Sequence, residues 1–413
     1  METLYPCCAG LDIHKETVVA CVRKVTADKV HQETRTFRTE TSGLLALADW
    51  LTDEGVTHAA MESTGVYWKP VWNLLEGVVE LLLVNAEHIK QVPGRKTDVR
   101  DAEWIAQLLQ CGLLKASFVP ERPVRDLRDL TRQRVQLVRQ KVQVANRIQK
   151  TLEDANIKLA SVASDVLGKS GRDMLRAIVN GESDPVVLAE LARQRLRAKI
   201  PQLQEALLGE VTDHHRFLPR MFLEQVDFLE GQIARLSQRI REVLPVPFVE
   251  AVERLETIPG IDRRAAENIV AEIGADMKPF PSAGHLASWV GICPGNHESA
   301  GKRRSGRTTK GNAWLRVTLV QCAWAASHTK DTYLSAQYKR LAARRGKKRA
   351  LVAVGHTLLG IIYGVLKKKG VYRELGADYL DRQDKAKLAA RLLKRLEKLG
   401  VKVRVEAEAE AVA

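Results

Sequence analysis

The chain has 413 residues, 65 of them Lys or Arg against 50 Asp or Glu, giving a net charge of +15 and a pI near 9.6. Hydrophobic residues make up 45% and charged residues 28%, which excludes a disordered or collagen-like chain and allows a sizeable core in about two or three domains. Aromatics at 5% favour a helix-rich protein over a β-sandwich, and the basic excess points to a polyanionic partner.

Residues 7–13, rich in small and apolar side chains, predict a buried strand that ends near Asp12. Thr17 to Val25 and His31 to Phe37 continue it as an antiparallel meander through short turns. Leu44, Leu45, Leu47, Ala48 and Leu51 space as a helix, with Thr41 or Ser42 as its cap. Thr57 to Met61 reads as a short strand with Glu62 at its end. A helix follows over Val66 to Leu75, then a strand of Val and Leu over Val78 to Val84. Lys96-Thr97-Asp98-Val99-Arg100-Asp101 opens a further helix, capped by Thr97 or Asp98, with Trp104, Ile105, Leu108 and Leu109 on one stripe. Three antiparallel strands followed by helix, strand, helix, strand, helix is the order of the ribonuclease H-like fold.

Pro120 and Pro123 break the chain. Val124 to Ile157 predicts a long helix, whose stretch Arg125–Lys150 holds eight Lys or Arg and two acids. It is either a solvated helix or one lying beside nucleic acid. Residues 158–218 read as helical pieces without chemistry. Phe222, Val226, Leu229, Ile233, Leu236, Ile240 and Val243 then repeat with the 4-3 spacing of a coiled-coil seam, which pairs either within the chain or between chains. Ile258-Pro259-Gly260-Ile261 between two helices resembles the hairpin of a helix-hairpin-helix element. Phe280 to Val290 predicts a helix, Gly291 to Gly301 a loop, and Ala313 to Ala326 and Leu351 to Leu366 further helices. Gly355, His356 and Gly360 interrupt the last run, which reads as a buried helix and not as a membrane span. An accessory helix and a tail close the chain after residue 370.

The basic excess is localised. Ser299 to Arg349 contains fourteen Lys or Arg and one acid, Asp331, for a net +13. Lys302, Arg303, Arg304, Arg307, Lys310, Arg344, Arg345, Lys347 and Lys348 are the candidate nucleic-acid contacts. The six cysteines form no CxxC pair and no metal-ligand spacing, so they are expected to be thiols in a reducing cytoplasm. The short polar start, Met1 to Pro6, predicts no signal peptide. The histidines form no i, i+4 pair, and no GxSxG element is present, which argues against a zinc hydrolase and a serine hydrolase of that kind.

Asp98 and Asp101 are three residues apart and share a helix face. In a ribonuclease H-like sheet the first and fourth strands are neighbours, which brings Asp12 and Glu62 to one edge near that helix. Four converging carboxylates repel one another unless a cation binds. All-oxygen ligands select Mg²⁺ or Mn²⁺, and two such ions roughly 4 Å apart suit phosphodiester chemistry.

Five segments in order, Gly-Leu-Asp-Ile-His-Lys (10–15), Met-Glu-Ser-Thr-Gly-Val-Tyr-Trp (61–68), Lys-Thr-Asp-Val-Arg-Asp-Ala (96–102), Ile-Pro-Gly-Ile (258–261) and His-Glu-Ser-Ala-Gly-Lys-Arg-Arg (297–304), resemble the "IS one-ten" insertion-sequence transposases. The resemblance covers about residues 8–370. It implies an α/β ribonuclease H-like (Holliday-junction-resolvase-like) domain over 1–120 and a helical and coiled-coil region over 121–248. It further implies an all-α C-terminal transposase domain over 249–370; the accessory helix and tail over 371–413 lie beyond the resemblance. It implies that Asp12, Glu62, Asp98 and Asp101 bind Mg²⁺ and that Ser299 is a nucleophile forming a phosphoserine link to DNA. The residues alone leave Ser305 as a competitor. The expected partners are DNA at the element ends and target, a structured guide RNA and further copies of the chain as dimer or tetramer, with no membrane. The expected setting is the nucleoid of a bacterial or archaeal cytoplasm. The alternatives are a metal-dependent junction endonuclease that uses water, and a non-enzymatic nucleic-acid scaffold.

Overall fold

The computed structural model describes residues 3–26, 29–63, 65–85, 98–295, 297–299, 302–383 and 385–401. It divides into two compact units, Met1–Arg122 and Pro123–Ala413.

The first unit is a mixed sheet between helices. Its strands are β1 (Cys7–Ile13), β2 (Thr17–Thr26), β3 (Lys29–Arg38), β4 (His58–Glu62) and β5 (Glu80–Val84), in the order β3-β2-β1-β4-β5. The meander β1-β2-β3 is antiparallel, whereas β4 runs parallel to β1 and β5 parallel to β4. Helices α1 (Thr41–Asp53), α2 (Trp68–Leu75) and α3 (Asp98–Gln110) interleave with the later strands, so the element order read from the sequence is the one observed.

Strand alternation sorts the side chains to two faces. Ala9, Leu11, Ala59 and Met61 pack with Leu44, Leu47 and Leu51 of α1 and with Val71 and Leu75 of α2. Cys8, Ala60 and Val84 pack on the other face with Ile105, Leu108 and Leu109 of α3. Val19 and Cys21 of β2 meet Ala102 and Ala106 of the same helix. With both faces covered, β1, β4 and β5 are apolar through their middles, Cys8–Leu11, Ala59–Met61 and Leu81–Leu83. The α1 cap departs from expectation. The N-cap is Glu40, without a side-chain bond, and Gly43 packs where a Cβ would come within 2.4 Å of the Arg38 carbonyl oxygen. Thr97, the alternative cap of α3, lies outside the described residues, as does the tail from residue 402.

The second unit is built on α4 (Arg122–Asp154). The far half of α4, through Val144, Ile148 and Leu152, packs with Leu223, Val226 and Leu229 of the Asp213–Val243 helix. Lys141–Glu230 at 3.2 Å and Asp154–His215 at 3.1 Å fix the two helices antiparallel. The heptad stripe therefore pairs at least partly within the chain. Of the stripe, Val226, Leu229, Ile233 and Ile240 are buried, whereas Phe222, Leu236 and Val243 are half-buried and the neighbours Leu223 and Ser237 are buried instead, a drift expected of a straight helix with 3.6 residues per turn. Residues 158–218, which carry no motif, close this end: Met174, Leu175, Ile178, Leu188, Leu203 and Leu207 join the same cluster.

The helices after Asp213–Val243 are Val246–Glu256, Arg263–Ile273, Ala283–Val290, Ala313–His328, Tyr333–Arg345, Lys347–Lys368, a short turn Tyr379–Arg382 and Lys385–Lys398, the accessory helix read after residue 370. Lys347–Lys368 is long and apolar enough to cross a membrane by length and composition, yet Ala350, Val354, Leu358, Leu359 and Ile362 are fully buried in the unit. The Tyr363 hydroxyl lies 3.0 Å from the Phe280 carbonyl oxygen. One element corrects the all-α expectation for this region. The segment read as a loop contains an antiparallel hairpin, β6 (His297–Ser299) and β7 (Lys302–Ser305). Its strands are short and basic and have no apolar alternation, so the usual strand signal is missing.

Candidate functional site

The acids of the first unit are set by the β1–β4 register. Leu11 pairs with Met61, so Asp12 and Glu62 follow as the next residues of adjacent parallel strands, at the C-terminal edge of the sheet. Both share the parity of Cys8, Gly10 and Ala60 and therefore belong to the α3 face.

Helix α3 approaches that face without a spacer. A Cβ on Gly10 would stand 2.2 Å from the Ala102 carbonyl oxygen and 2.4 Å from the Ala106 nitrogen. Glycine is the residue that lets a helix backbone lie this close to a strand. Leu4 N donates to Gln110 O at 2.9 Å and Cys8 Sγ lies 3.5 Å from Ala106 O, so the C-terminal end of α3 lies at the start of β1. The N-terminal end, with Asp98 and Asp101, consequently lies toward the Asp12 and Glu62 edge. On the helix, Asp98 is one turn before Ala102 and Asp101 one turn before Ile105, so both positions extend rows that face the sheet.

Asp12 Oδ2 lies 3.2 Å from His14 Nε2; the carboxylate is 16% exposed and the imidazole 51% exposed. Sequence reasoning did not single out His14, although it stands inside the first motif. Asp101 and Glu62 are half-buried. The Asp98 side chain lies outside the described set. Among the described residues no three His, Cys, Asp or Glu side chains are close enough to hold a metal ion. The backbone thus brings four acids to one end of one face, and the described carboxylates do not by themselves form a closed ligand shell. Their chemistry, all oxygen, suits a hard divalent cation.

Ser299 belongs to the second unit. It ends β6 and pairs with Lys302 across the turn, while Glu298 pairs with Arg303 and His297 with Ser305. The predicted nucleophile therefore sits at a hairpin tip, with its competitor Ser305 at the far end of the partner strand. The side chains of these strand residues lie outside the described set. The hairpin foot is well defined. Pro294 and Thr308 form a bridge, and Gly295 N donates to Arg307 O at 2.8 Å. Arg307, Lys310, Arg344, Arg345, Lys347 and Lys348 are exposed, the last four around the bend at Gly346, whose φ is +82°.

The basic long helix is put to a use the sequence did not disclose. Arg132 grips the Glu272 carboxylate with two bonds, at 2.7 and 2.8 Å. Arg128 donates to the Ala271 carbonyl at 2.9 Å and also to that of Glu272. Arg134, 3% exposed, pairs with Glu267, 4% exposed, at 2.6 Å. Burial pulls the Arg128 guanidinium down to about 10, against the opposing pull of Glu272. Three cations that read as solvated or nucleic-acid-facing are therefore internal clamps on the Arg263–Ile273 helix. The partners lie about 140 residues downstream, beyond the reach of any local pattern.

The Ile-Pro-Gly-Ile turn is explained by packing. Gly260 has φ +88°, and a Cβ there would be 2.5 Å from the Cys322 carbonyl oxygen and 2.6 Å from the Ala326 nitrogen. Asp262 caps the next helix through Ala265 N at 2.8 Å.

Comparison with known proteins gives two family matches. A model of the IS110 DEDD transposase domain, described as transposase, matches residues 9–157, and the transposase IS116/IS110/IS902 family model matches residues 252–339. The chain is 26% identical to the "Probable family 20 transposase" of Pseudomonas aeruginosa, over 76% of this chain and 85% of that one. It is also 26% identical to the Coxiella burnetii transposase for insertion sequence element IS1111A, over 70% and 72% of the two chains. A pilin gene-inverting protein of Moraxella bovis is 32% identical over 28% of this chain and 36% of its own length.

Proposed function

The chain belongs to the IS116/IS110/IS902 family of transposases, and from that membership we propose that it moves an insertion element by cutting and rejoining DNA with a serine nucleophile. The observation that carries this reading is the register that makes Asp12 and Glu62 adjacent at the sheet edge, with the Asp98–Asp101 end of α3 above them. The strand order, with β1 beside β4, supports a ribonuclease H-like domain. The name of the Moraxella bovis relative supports recombination as the reaction class.

In this reading Asp12, Glu62, Asp98 and Asp101 hold Mg²⁺ or Mn²⁺. The metal supplies Lewis-acid stabilisation of phosphate oxygens and eases ionisation of a hydroxyl. Ser299 Oγ bonds to phosphorus as the bond from phosphorus to the adjacent sugar oxygen breaks; the serine proton leaves and the sugar oxygen departs as a hydroxyl. A sugar hydroxyl from another strand then attacks the phosphoserine, restoring the serine and joining the strands. Lys302, Arg303 and Arg304 follow the serine in the hairpin and are suited to neutralising the five-coordinate phosphorus. Arg307, Lys310, Arg344, Arg345, Lys347 and Lys348 track the polyanion. A structured RNA encoded beside the gene supplies target choice by pairing, as in other guided effectors. Copies of the chain assemble so that acids and serine act on one junction.

The test is a covalent trap. Labelled DNA bearing the element end is incubated with Mg²⁺ and the full chain, together with RNA transcribed from the gene's flank, then run on a denaturing gel. A shifted protein–DNA band that Ser299→Ala and Asp98→Ala both abolish is the expected result. Cleavage that survives Ser299→Ala without any adduct would mean that water is the nucleophile.

A further inference from the structure

We propose that Glu272 is a positioning residue for the Ser299 hairpin, acting through Asn312. The inference rests on the reading of Ser299 as nucleophile. Glu272 is 2% exposed and lies in the last turn of the Arg263–Ile273 helix, where the backbone dipole disfavours a negative charge. A buried carboxylate at that place is costly unless it is paired and hydrogen-bonded. Arg132 supplies the pair, and Arg128 meets the unsatisfied carbonyls of the same helix end.

The third partner explains the arrangement. Asn312 Nδ2 donates to Glu272 Oε2 at 2.6 Å, while Asn312 Oδ1 accepts from Leu315 N at 3.0 Å and caps the Ala313–His328 helix. Asn312 is the last residue of the segment that returns from the hairpin. Immediately before it, the two legs touch backbone to backbone. A Cβ on Gly311 would be 2.4 Å from the Val290 carbonyl carbon, and one on Gly291, at φ +72°, would be 2.7 Å from Thr309 O. Beyond that contact the legs are joined at 294–308 and 295–307, and β6 pairs with β7 from His297 to Ser299. Glu272 therefore holds the base of the two legs that lead to β6 and β7, and a shift at Asn312 is passed along them.

Asn312→Ser tests this, because serine keeps the helix cap and removes the donor. Glu272→Gln is the second variant. In the full chain, hydrogen exchange of the 295–308 amides should speed up about ten- to a hundredfold in Asn312→Ser, the worth of one hydrogen bond to a charged group. At saturating DNA the rate of adduct formation should fall up to about a hundredfold, with unchanged DNA affinity. Unchanged exchange in the hairpin would overturn the proposal. So would a loss of rate matched by an equal loss of DNA binding, which is the mark of a merely structural role. Ser299→Ala, run in parallel, separates the two readings: adducts persisting there defeat the nucleophile assignment, whereas the exchange result bears on the anchor alone.

Discussion

Gly10→Ala adds one methyl group at the tightest point of the first unit. The new carbon would fall 2.2 Å from Ala102 O and 2.4 Å from Ala106 N, both backbone atoms that no rotamer change can move. Ordinary contact begins at about 3.4 Å, so α3 must retreat by about 1 Å. That retreat loosens Ala102, Ile105, Ala106 and Leu109, each at most 1% exposed, and a gap of this size forfeits a quarter to a half of each contact. Overpacking of this kind costs about 1–3 kcal/mol, and the stiffer unfolded chain returns about 0.4–1 kcal/mol. A net loss of about 1 kcal/mol is expected. Hydrogen exchange of peptides from β1 and α3 measures it, because it reports the opening of this unit even when the whole chain unfolds in several steps. Since α3 carries Asp98 and Asp101, cleavage should fall by about a hundredfold. A variant with wild-type exchange in both elements and wild-type cleavage would refute the close approach and the role given to the helix.

Gly260→Ala combines a left-handed backbone with contacts of 2.5 and 2.6 Å to the Ala313–His328 helix, so a loss of about 3 kcal/mol is expected in a denaturant titration of the second unit's helical signal. Burial pushes the Cys8 and Cys322 thiols up from 9.0 to about 12. At pH 8 about one in ten thousand of each is thiolate, so native alkylation followed by peptide mapping should leave both unmodified. Because these values are raised, the stability they contribute is full below pH 9 and is lost as pH rises from there through about 12. The exposed Arg344, Arg345, Lys347 and Lys348 predict a steep salt dependence. If all four meet phosphates, DNA affinity should drop about a hundredfold between about 50 and 200 mM salt, and each alanine substitution should reduce the slope by about one. A slope unchanged in the variants would remove this bend from the binding surface.

The first unit was legible because its central strands are short apolar runs bounded by turns and its helices carry single apolar stripes. Asp12 and Glu62 could be placed side by side from strand order alone, since parallel neighbours in register share an edge. The hairpin was not legible: Lys302-Arg303-Arg304-Ser305 pairs through its backbone, and backbone pairing leaves no trace in side-chain pattern. Arg128, Arg132 and Arg134 were misread for a different reason. A cation's surroundings are decided by what packs against it, and Glu267 and Glu272 arrive from far along the chain. The Pro-Gly turn was visible, but the packing of Gly260 against the Ala313–His328 helix was not, because that helix lies far along the chain.

The long helix α4 is held at both ends by different materials. Arg128 to Arg134 are bolted by charge to the helix below the serine arm, and Val144 to Leu152 are set in the greasy cap of residues 158–218. The eighteen residues from Arg134 to Leu152 span about 27 Å, so a tilt of about 5° at the bolt swings the cap by about 2 Å. The cap and the foot of the arm are thus joined by one continuous helix.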